Sequence, residues 1–339
     1  MSKAKATDPG LSIGGGNGIL NSMTETPTPA SRKILVAIDG SPYSRHSLHY
    51  LAALFPGQAD IHFHLLTVVP ASGLPAGSEW MAESERLNML GPATRKNLNE
   101  RREYLQTATE SLIAAGIAAE RISSEARPSR AGASADILHE ARHGLYDAVL
   151  LGRRGASKLE ELIMGSVSAD LFEKCRDVPL WIIDGEVDSR RFLVPVDGSP
   201  NSLAAVDHLA FILRDNPRAE ITLFHSVAML AGRPPAPPEE YYDRWDKGWC
   251  DTHLTRPDSL FHAPRQLLID SGFPAERIFW LQTFRDLDPG RRILRQALQD
   301  DFGTIVIGRR GSEVSKGIFR GVSDRLLLMA EKVAVWIVG

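Results

Sequence analysis

Arg32-Lys-Ile-Leu-Val-Ala-Ile-Asp-Gly-Ser-Pro42 is the stretch that decides the fold, because it occurs again as Arg190-Arg-Phe-Leu-Val-Pro-Val-Asp-Gly-Ser-Pro200. A second pair of motifs follows in the same order. Leu151-Gly-Arg-Arg-Gly155 occurs again as Ile307-Gly-Arg-Arg-Gly311. Two motifs repeated in order within one chain indicate a tandem duplication, so any site has to be sought once in each copy.

The length of 339 residues suits two domains of ordinary size. We assign the first copy, called repeat 1 below, to residues 32–184 and the second copy, repeat 2, to residues 190–339. Residues 1–31 precede both repeats and are rich in Gly, Ser, Thr and Pro. This composition predicts a disordered tail.

Composition excludes several classes of partner. The net charge of −3 gives no electrostatic reason to expect nucleic acid or an anionic membrane. No apolar run approaches the roughly 20 residues that a membrane span needs, and the N-terminus does not read as a secretory signal. Two cysteines fit a reducing compartment, and Cys250-x-x-His253 lacks a second ligand pair. We therefore expect a cytoplasmic protein with no metal site.

Short apolar runs alternate with helical patterns in both repeats. The predicted strands are 34–38, 61–69, 122–126, 148–151 and 180–183 in repeat 1, and 192–196, 220–227, 278–283, 304–307 and 334–338 in repeat 2. Such alternation, with strands that are apolar throughout, predicts an α/β fold in which helices cover both faces of a parallel sheet.

Two features of repeat 1 fall at the carboxyl ends of predicted strands, where open α/β sheets bind ligands. One is Asp39 after the first strand. The other is the loop Gly152-x-x-Gly155-x9-Gly165-Ser-Val-Ser168 after the fourth. Glycines let the backbone approach an anion, a helix N-terminus favours phosphate, and the neighbouring arginines can offset charge. The spacing predicts a phosphate cradle facing an acid, although a capped turn and tight packing explain the same residues.

These motifs resemble the universal stress protein A family in its tandem-domain form, over residues 32–184 and 190–339. The resemblance implies two doubly wound, Rossmann-like domains, each with a five-stranded parallel sheet of order 3-2-1-4-5. It also implies ATP as the ligand, with Mg²⁺ as a candidate companion. The residues it assigns to the nucleotide are Asp39, Val68, Gly152, Arg153, Gly155, Gly165, Ser166, Val167 and Ser168 in repeat 1, and Asp197, Gly308, Gly311, Gly321 and Ser323 in repeat 2.

Repeat 2 departs from this pattern at one decisive place. Val322 stands where the first serine of the motif belongs, so a hydroxyl donor is lost. Ser323 could replace either serine of repeat 1. We therefore expect ATP in repeat 1 and a degenerate site in repeat 2.

The family resemblance also implies that the two domains pair through their fifth strands. The sequence supports this independently, because an open sheet exposes its edges and both fifth strands are apolar, with Trp181 and Trp336 at equivalent positions. A homodimer of the whole chain is left open.

The function expected on these grounds is that of an ATP-binding module in the stress response, and not that of an enzyme. No Walker loop, Gly-x-Gly-x-x-Gly sequence or acid–base pair at a strand end is present. Two alternatives are retained: a ligand-free scaffold formed by the paired domains, and a slow ATP hydrolase.

Overall fold

Strands and helices alternate along both repeats. The computed structural model describes residues 31–71, 81, 85, 89–154, 164–228, 235–309 and 321–339. Gly155, Gly311 and residues 1–30 of the predicted tail lie outside these ranges. Repeat 1 contains β1 (Arg32–Ala37), α1 (Pro42–Leu54), β2 (Ile61–Val69), α2 (Pro92–Ala114), β3 (Ile122–Pro128), α3 (Ala133–His143), β4 (Ala148–Gly152), α4 (Ser166–Lys174) and β5 (Leu180–Ile183).

Repeat 2 follows the same course with additional short elements. It contains β6 (Arg191–Pro195), α5 (Pro200–Leu213), β7 (Glu220–Phe224), β8 (Ser226–Ala228), α6 (Lys247–His253), α7 (Ser259–Asp270), β9 (Ile278–Trp280), β10 (Phe284–Asp286), α8 (Pro289–Gln299), β11 (Thr304–Gly308), α9 (Val322–Met329) and β12 (Ala334–Val338). Within the described ranges, no helix has the length and apolar character needed to cross a membrane.

The repeated Asp-Gly-Ser-Pro sequence ends the first strand of each repeat and begins the first helix. Gly40 and Gly198 have φ angles of +72° and +69°, which glycine adopts without strain. The Ser41 hydroxyl accepts a hydrogen bond from the Ser44 amide, and Pro42 occupies the first turn of α1. Ser199 caps α5 in the same way. The turn is therefore local chemistry that the sequence encodes twice.

The strands of both repeats form one ten-stranded sheet of order β3-β2-β1-β4-β5-β12-β11-β6-β7-β9. Each repeat contributes five parallel strands in the order 3-2-1-4-5, which confirms the predicted fold class. The two halves join where β5 pairs antiparallel with β12. This pairing uses both fifth-strand edges within the chain.

Two tryptophans mark the joint between the repeats. Trp181 and Trp336 are direct partners across the β5–β12 pair, and both are fully buried. Their rings stack with centroids 3.8 Å apart and planes 2° from parallel. The joint is therefore part of one continuous core, in which large aromatic side chains bury more area than any aliphatic pair could.

Strand residues alternate between two hydrophobic cores, one on each face of the sheet. Ile34 and Val36 belong to the core that also holds both tryptophans, whereas Leu35 belongs to the opposite core with Val149 and Leu151. Burial on both faces explains why the strands are apolar without interruption.

The prediction of continuous strands over 220–227 and 278–283 was wrong. Each strand divides, and β8 pairs with β10 in a separate two-stranded sheet. The amides of Leu281 and Phe284 donate to the carbonyls of Leu223 and His225, both at 3.0 Å. Between these two hydrogen bonds the chain advances three residues on one side, from Leu281 to Phe284, and two on the other, from Leu223 to His225. This extra residue is a bulge, which interrupts the ladder.

Candidate functional site

Repeat 1 has a cavity of about 360 Å³ at the carboxyl ends of β1, β2 and β4, within the usual size range of small-molecule sites. Its walls include most of the residues that the sequence singled out. Those among its lining residues are Asp39, Val68, Gly152, Gly165, Ser166, Val167 and Ser168. The structure therefore brings the acid after β1 and the start of α4 to one place.

The carboxylate of Asp39 is oriented by the turn that follows it. Its Oδ1 atom accepts from the Ser41 amide at 3.0 Å and from the Ser44 hydroxyl at 2.7 Å. Burial raises the pKa of nearby Tyr104, and the charge of Asp39 adds to that shift. Asp39 thus has a structural role in starting α1 and also contributes an acid to the cavity wall.

The loop after β4 and the start of α4 are joined by two hydrogen bonds. The Ser168 hydroxyl donates to the Gly152 carbonyl at 2.8 Å, and the Gly165 amide donates to the Arg153 carbonyl at 2.9 Å. Because the first amides of a helix have no partner within it, this end of α4 offers hydrogen-bond donors and a positive dipole end to an anion. Ser166 is exposed there.

The floor of the cavity is apolar. Leu66, Ile137 and Leu151 line it and are each at most 5% exposed. An apolar floor with polar groups at the rim suits a ligand that has a flat apolar part and a charged part.

Two cavity-lining residues on α2 were not predicted, because most side chains of this helix are polar and the sequence does not single these two out. Asn97 and Arg101 reach the cavity from α2. The Arg101 guanidinium lies against Gly40, where a Cβ atom would overlap its Nη1. The contact between Gly40 and α2 that brings Arg101 to the cavity is formed only in the folded chain, so no sequence motif indicates it.

The two adjacent arginines of the loop face opposite directions. Arg154 lines the cavity. Arg153, which was predicted to contact the nucleotide, is not among the residues that line the cavity. Its guanidinium donates to the carbonyls of Leu328, at 2.7 Å, and Ala330 in repeat 2. The carbonyls at the end of α9 thus hold Arg153 away from the cavity that Arg154 lines.

The first strand end of repeat 2 is covered by its own chain. Pro235 packs on Gly198, whose carbonyl accepts from the Ala236 amide at 2.8 Å and the Tyr241 hydroxyl at 2.7 Å. The cavity beside this turn measures about 20 Å³, close to the minimum for one water molecule. Asp197 is not among the residues that line this cavity, and its carboxylate accepts from the Ser199 amide at 3.1 Å, as Asp39 accepts from Ser41.

The register of the strands identifies the residue that replaces Leu66 in repeat 2. Leu66 pairs with Ala37, and Phe224 pairs with Pro195 at the matching step. The larger Phe224 ring is fully buried and packs on Phe284, with centroids 5.6 Å apart. The space that forms the cavity floor in repeat 1 is therefore filled by an aromatic side chain.

The helix starts differ in charge. Gly165 and Gly321 are the N-caps of α4 and α9, so Asp324 occupies the position of Ser168. Its carboxylate accepts from the Gly321 amide at 3.1 Å. Ser323 therefore matches Val167 and replaces neither serine. A carboxylate at the helix start competes with a bound phosphate for the same amides.

Gly308 lies at the end of β11, as predicted, where an added Cβ atom would overlap the carbonyl oxygen of Asn201. Among the described residues, no group of three or more His, Cys, Asp or Glu side chains could hold a metal ion.

The fold and the cavity define a two-repeat, doubly wound α/β protein with an open crevice at the strand ends of repeat 1. Residues 30–183 match the model of the universal stress protein family. Repeat 1 thus matches that family in sequence, and repeat 2 carries a second copy of the same sheet.

A solved structure is similar to this chain at the level of the fold. A universal stress protein from Archaeoglobus fulgidus is 18% identical, with a TM-score of 0.58; the match covers 91% of this chain and 98% of that chain. A universal stress protein from Lactobacillus plantarum is 15% identical, with a TM-score of 0.35, over 46% of this chain and 99% of that chain. Among curated proteins, none matches this chain.

Proposed function

We propose that repeat 1 binds ATP and that the protein acts as a nucleotide-dependent regulatory module of the stress response. The observation that carries this proposal is the cavity at the strand ends, where Asp39, Arg154 and the start of α4 meet over an apolar floor. A base suits the floor, and phosphates suit a helix N-terminus with an adjacent guanidinium.

Bound ATP is held and not turned over by a dedicated active site. Among the lining residues that the structure describes, Asp39 supplies the only carboxylate, and no histidine, cysteine or lysine is present. One Asp39 oxygen already accepts hydrogen bonds within the turn that begins α1.

Mg²⁺ would enter with the phosphates of ATP, which supply oxygen ligands. Because both cysteines are free thiols, we place the protein in the cytoplasm.

Repeat 2 has the substitutions that would remove such a site, and these suggest the test. We would transfer them singly to repeat 1 as Leu66→Phe and Ser168→Asp, and measure ATP and adenosine binding by calorimetry, with and without Mg²⁺. Leu66→Phe should weaken both ligands because it fills the floor. Ser168→Asp should weaken ATP at least about tenfold, the effect of about 1.4 kcal/mol, and adenosine much less.

Two controls accompany the transfers. Ser168→Ala separates the loss of the hydroxyl from the added charge. Phe224→Leu makes the reverse change of the floor residue in repeat 2, and it should leave ATP binding to repeat 1 unchanged. Nucleotide extracted from the purified protein, and phosphate release over hours, complete the set. Wild-type protein that neither carries nor binds adenine nucleotide would refute the proposal, and steady turnover would replace it with a hydrolase.

A further inference from the structure

Two buried arginines cross between the repeats. Arg153 follows Gly152 at the end of β4, and its guanidinium donates to the carbonyls of Leu328 and Ala330 at the end of α9. Arg309 occupies the equivalent place after β11, and its guanidinium donates to the carbonyl of Phe172 in the last turn of α4. Each glycine loop therefore holds the final helix of the other repeat.

Both contacts are placed where a helix benefits most from a cation. The last carbonyls of a helix have no partner within it, and the negative end of its dipole favours positive charge. Arg309 is 6% exposed, and its guanidinium lies 3.6 Å from the centroid of the Phe172 ring. Burial lowers the pKa of Arg309 to about 10, so the side chain keeps its charge at neutral pH.

The helix that Arg309 holds is the one whose opposite end faces the cavity. α4 has nine residues and so spans about 13 Å. At its start, the Ser168 hydroxyl donates to the Gly152 carbonyl at 2.8 Å. At its end, Arg309 contacts Phe172 by both a hydrogen bond and the face of its ring. Since a helix this short behaves as a rod, fixing the far end helps to fix where the first amides point.

We propose that Arg309 of repeat 2 is a positioning residue for the nucleotide cradle of repeat 1. The inference rests on the proposed function for its effect on ATP. Repeat 2, whose own crevice is filled by Phe224 and its covering segment, would thus govern nucleotide affinity in repeat 1 without binding a nucleotide itself.

The test replaces Arg309 in the full-length protein and compares two ligands. Arg309→Met removes the charge and the donors but keeps an unbranched side chain against Phe172. Because α4 serves the phosphates, ATP affinity should fall about tenfold, as expected for losing a charged hydrogen bond that orients the binding amides. Adenosine affinity should change less than about twofold, since the floor does not involve α4.

Arg309→Lys should lose only about threefold in ATP affinity, because the charge remains and only the forked geometry is lost. The matched control is Arg256→Met, which removes an exposed arginine of repeat 2 that pairs with Asp258; this variant should bind both ligands as the wild type does. Equal losses for ATP and adenosine, or unchanged ATP affinity in Arg309→Met, would overturn the proposal.

A second measurement needs no nucleotide. Hydrogen exchange of the ligand-free protein should become faster in Arg309→Met at the hydrogen-bonded amides of α4, from Ala169 onward, because the helix is held less firmly. The amides of β1 and α1 should exchange as in the wild type and in Arg256→Met. If the wild type fails to bind ATP, the proposed function fails, and exchange at α4 still decides whether Arg309 positions this helix. Should Arg309→Met not fold, Arg309→Lys takes its place, with an ATP loss of about threefold; no loss and unchanged exchange would then overturn the inference.

Discussion

Replacing His208 by glutamine is expected to remove part of the acid sensitivity of folding. His208 lies on α5 beside the stacked tryptophans, with its ring 5.9 Å from Trp181 and 6.0 Å from Trp336 between centroids. Its Nε2 atom accepts from the indole N–H of Trp181 at 3.1 Å. Because an indole nitrogen only donates, this contact requires Nε2 to be unprotonated. Burial lowers the pKa of His208 to about 3.

The sign follows from where the proton binds. Between the unfolded-state pKa of about 6.5 and the folded-state value of about 3, the unfolded chain binds a proton at His208 and the folded chain does not. The free energy of unfolding therefore falls as pH falls through this window, by about 1.36 kcal/mol per pH unit. At pH 4.5 the loss amounts to about 2.7 kcal/mol. This is an upper bound, since the residue keeps some contact with solvent.

Urea unfolding at pH 7.5, 6.5, 5.5 and 4.5 would measure the effect in the wild type and in His208→Gln. A glutamine side-chain oxygen can accept from Trp181 and does not titrate. Subtracting the two curves removes the contribution of carboxylates, which both proteins share. Between pH 7.5 and pH 4.5, the free energy of unfolding of the wild type should fall by up to about 2.7 kcal/mol more than that of the variant. His143→Gln, at an exposed position, controls for losing an imidazole. Parallel curves for the wild type and His208→Gln would show that the reasoning is wrong.

Two further changes test the packing of the fold. Trp336→Ala should lower the free energy of unfolding by about 3–5 kcal/mol, because it empties the centre of the joint, and urea unfolding would measure this. Gly308→Ala should destabilise the protein by about 1–3 kcal/mol, since its Cβ would overlap the Asn201 carbonyl. Gly152→Ala should cost less, because its Cβ would lie 3.1 Å from the nearest atom, the Arg154 carbonyl oxygen; equal midpoints for the two variants would contradict this.

The parts of the structure that depend on local chemistry could be predicted from the sequence. The Asp-Gly-Ser-Pro turn carries its own cap, its own positive φ and its own proline, so it needs no distant partner. The apolar strands needed only burial on both faces. The order of the strands was predicted from the family resemblance of the repeated motifs and not from local chemistry.

The parts that depend on distant neighbours could not be predicted. No pattern in the sequence tells which of two adjacent arginines enters the cavity, because Arg153 is drawn away by carbonyls at the end of a helix in the other repeat. Asn97 and Arg101 belong to a mostly polar helix, and its sequence does not distinguish the polar side chains that face the cavity from those that face solvent. In repeat 2 the valine at position 322 drew attention, whereas Asp324 and Phe224 alter the site more, through a charge at the helix start and a ring in the floor.

These differences between the repeats lie in a particular part of the fold. Leu66 and Phe224 occupy the same register position, as do Ser168 and Asp324 on their helices, and both pairs lie at the strand ends. At the β5–β12 joint, by contrast, both repeats contribute a tryptophan and an arginine to the same kind of contact. Separating the repeats would expose Trp181 and leave the end of α4 without Arg309. Filling the crevice of repeat 2 therefore leaves the contacts between the repeats intact, whereas a change at Arg309 alters a contact of α4, the helix whose first residues line the cavity of repeat 1.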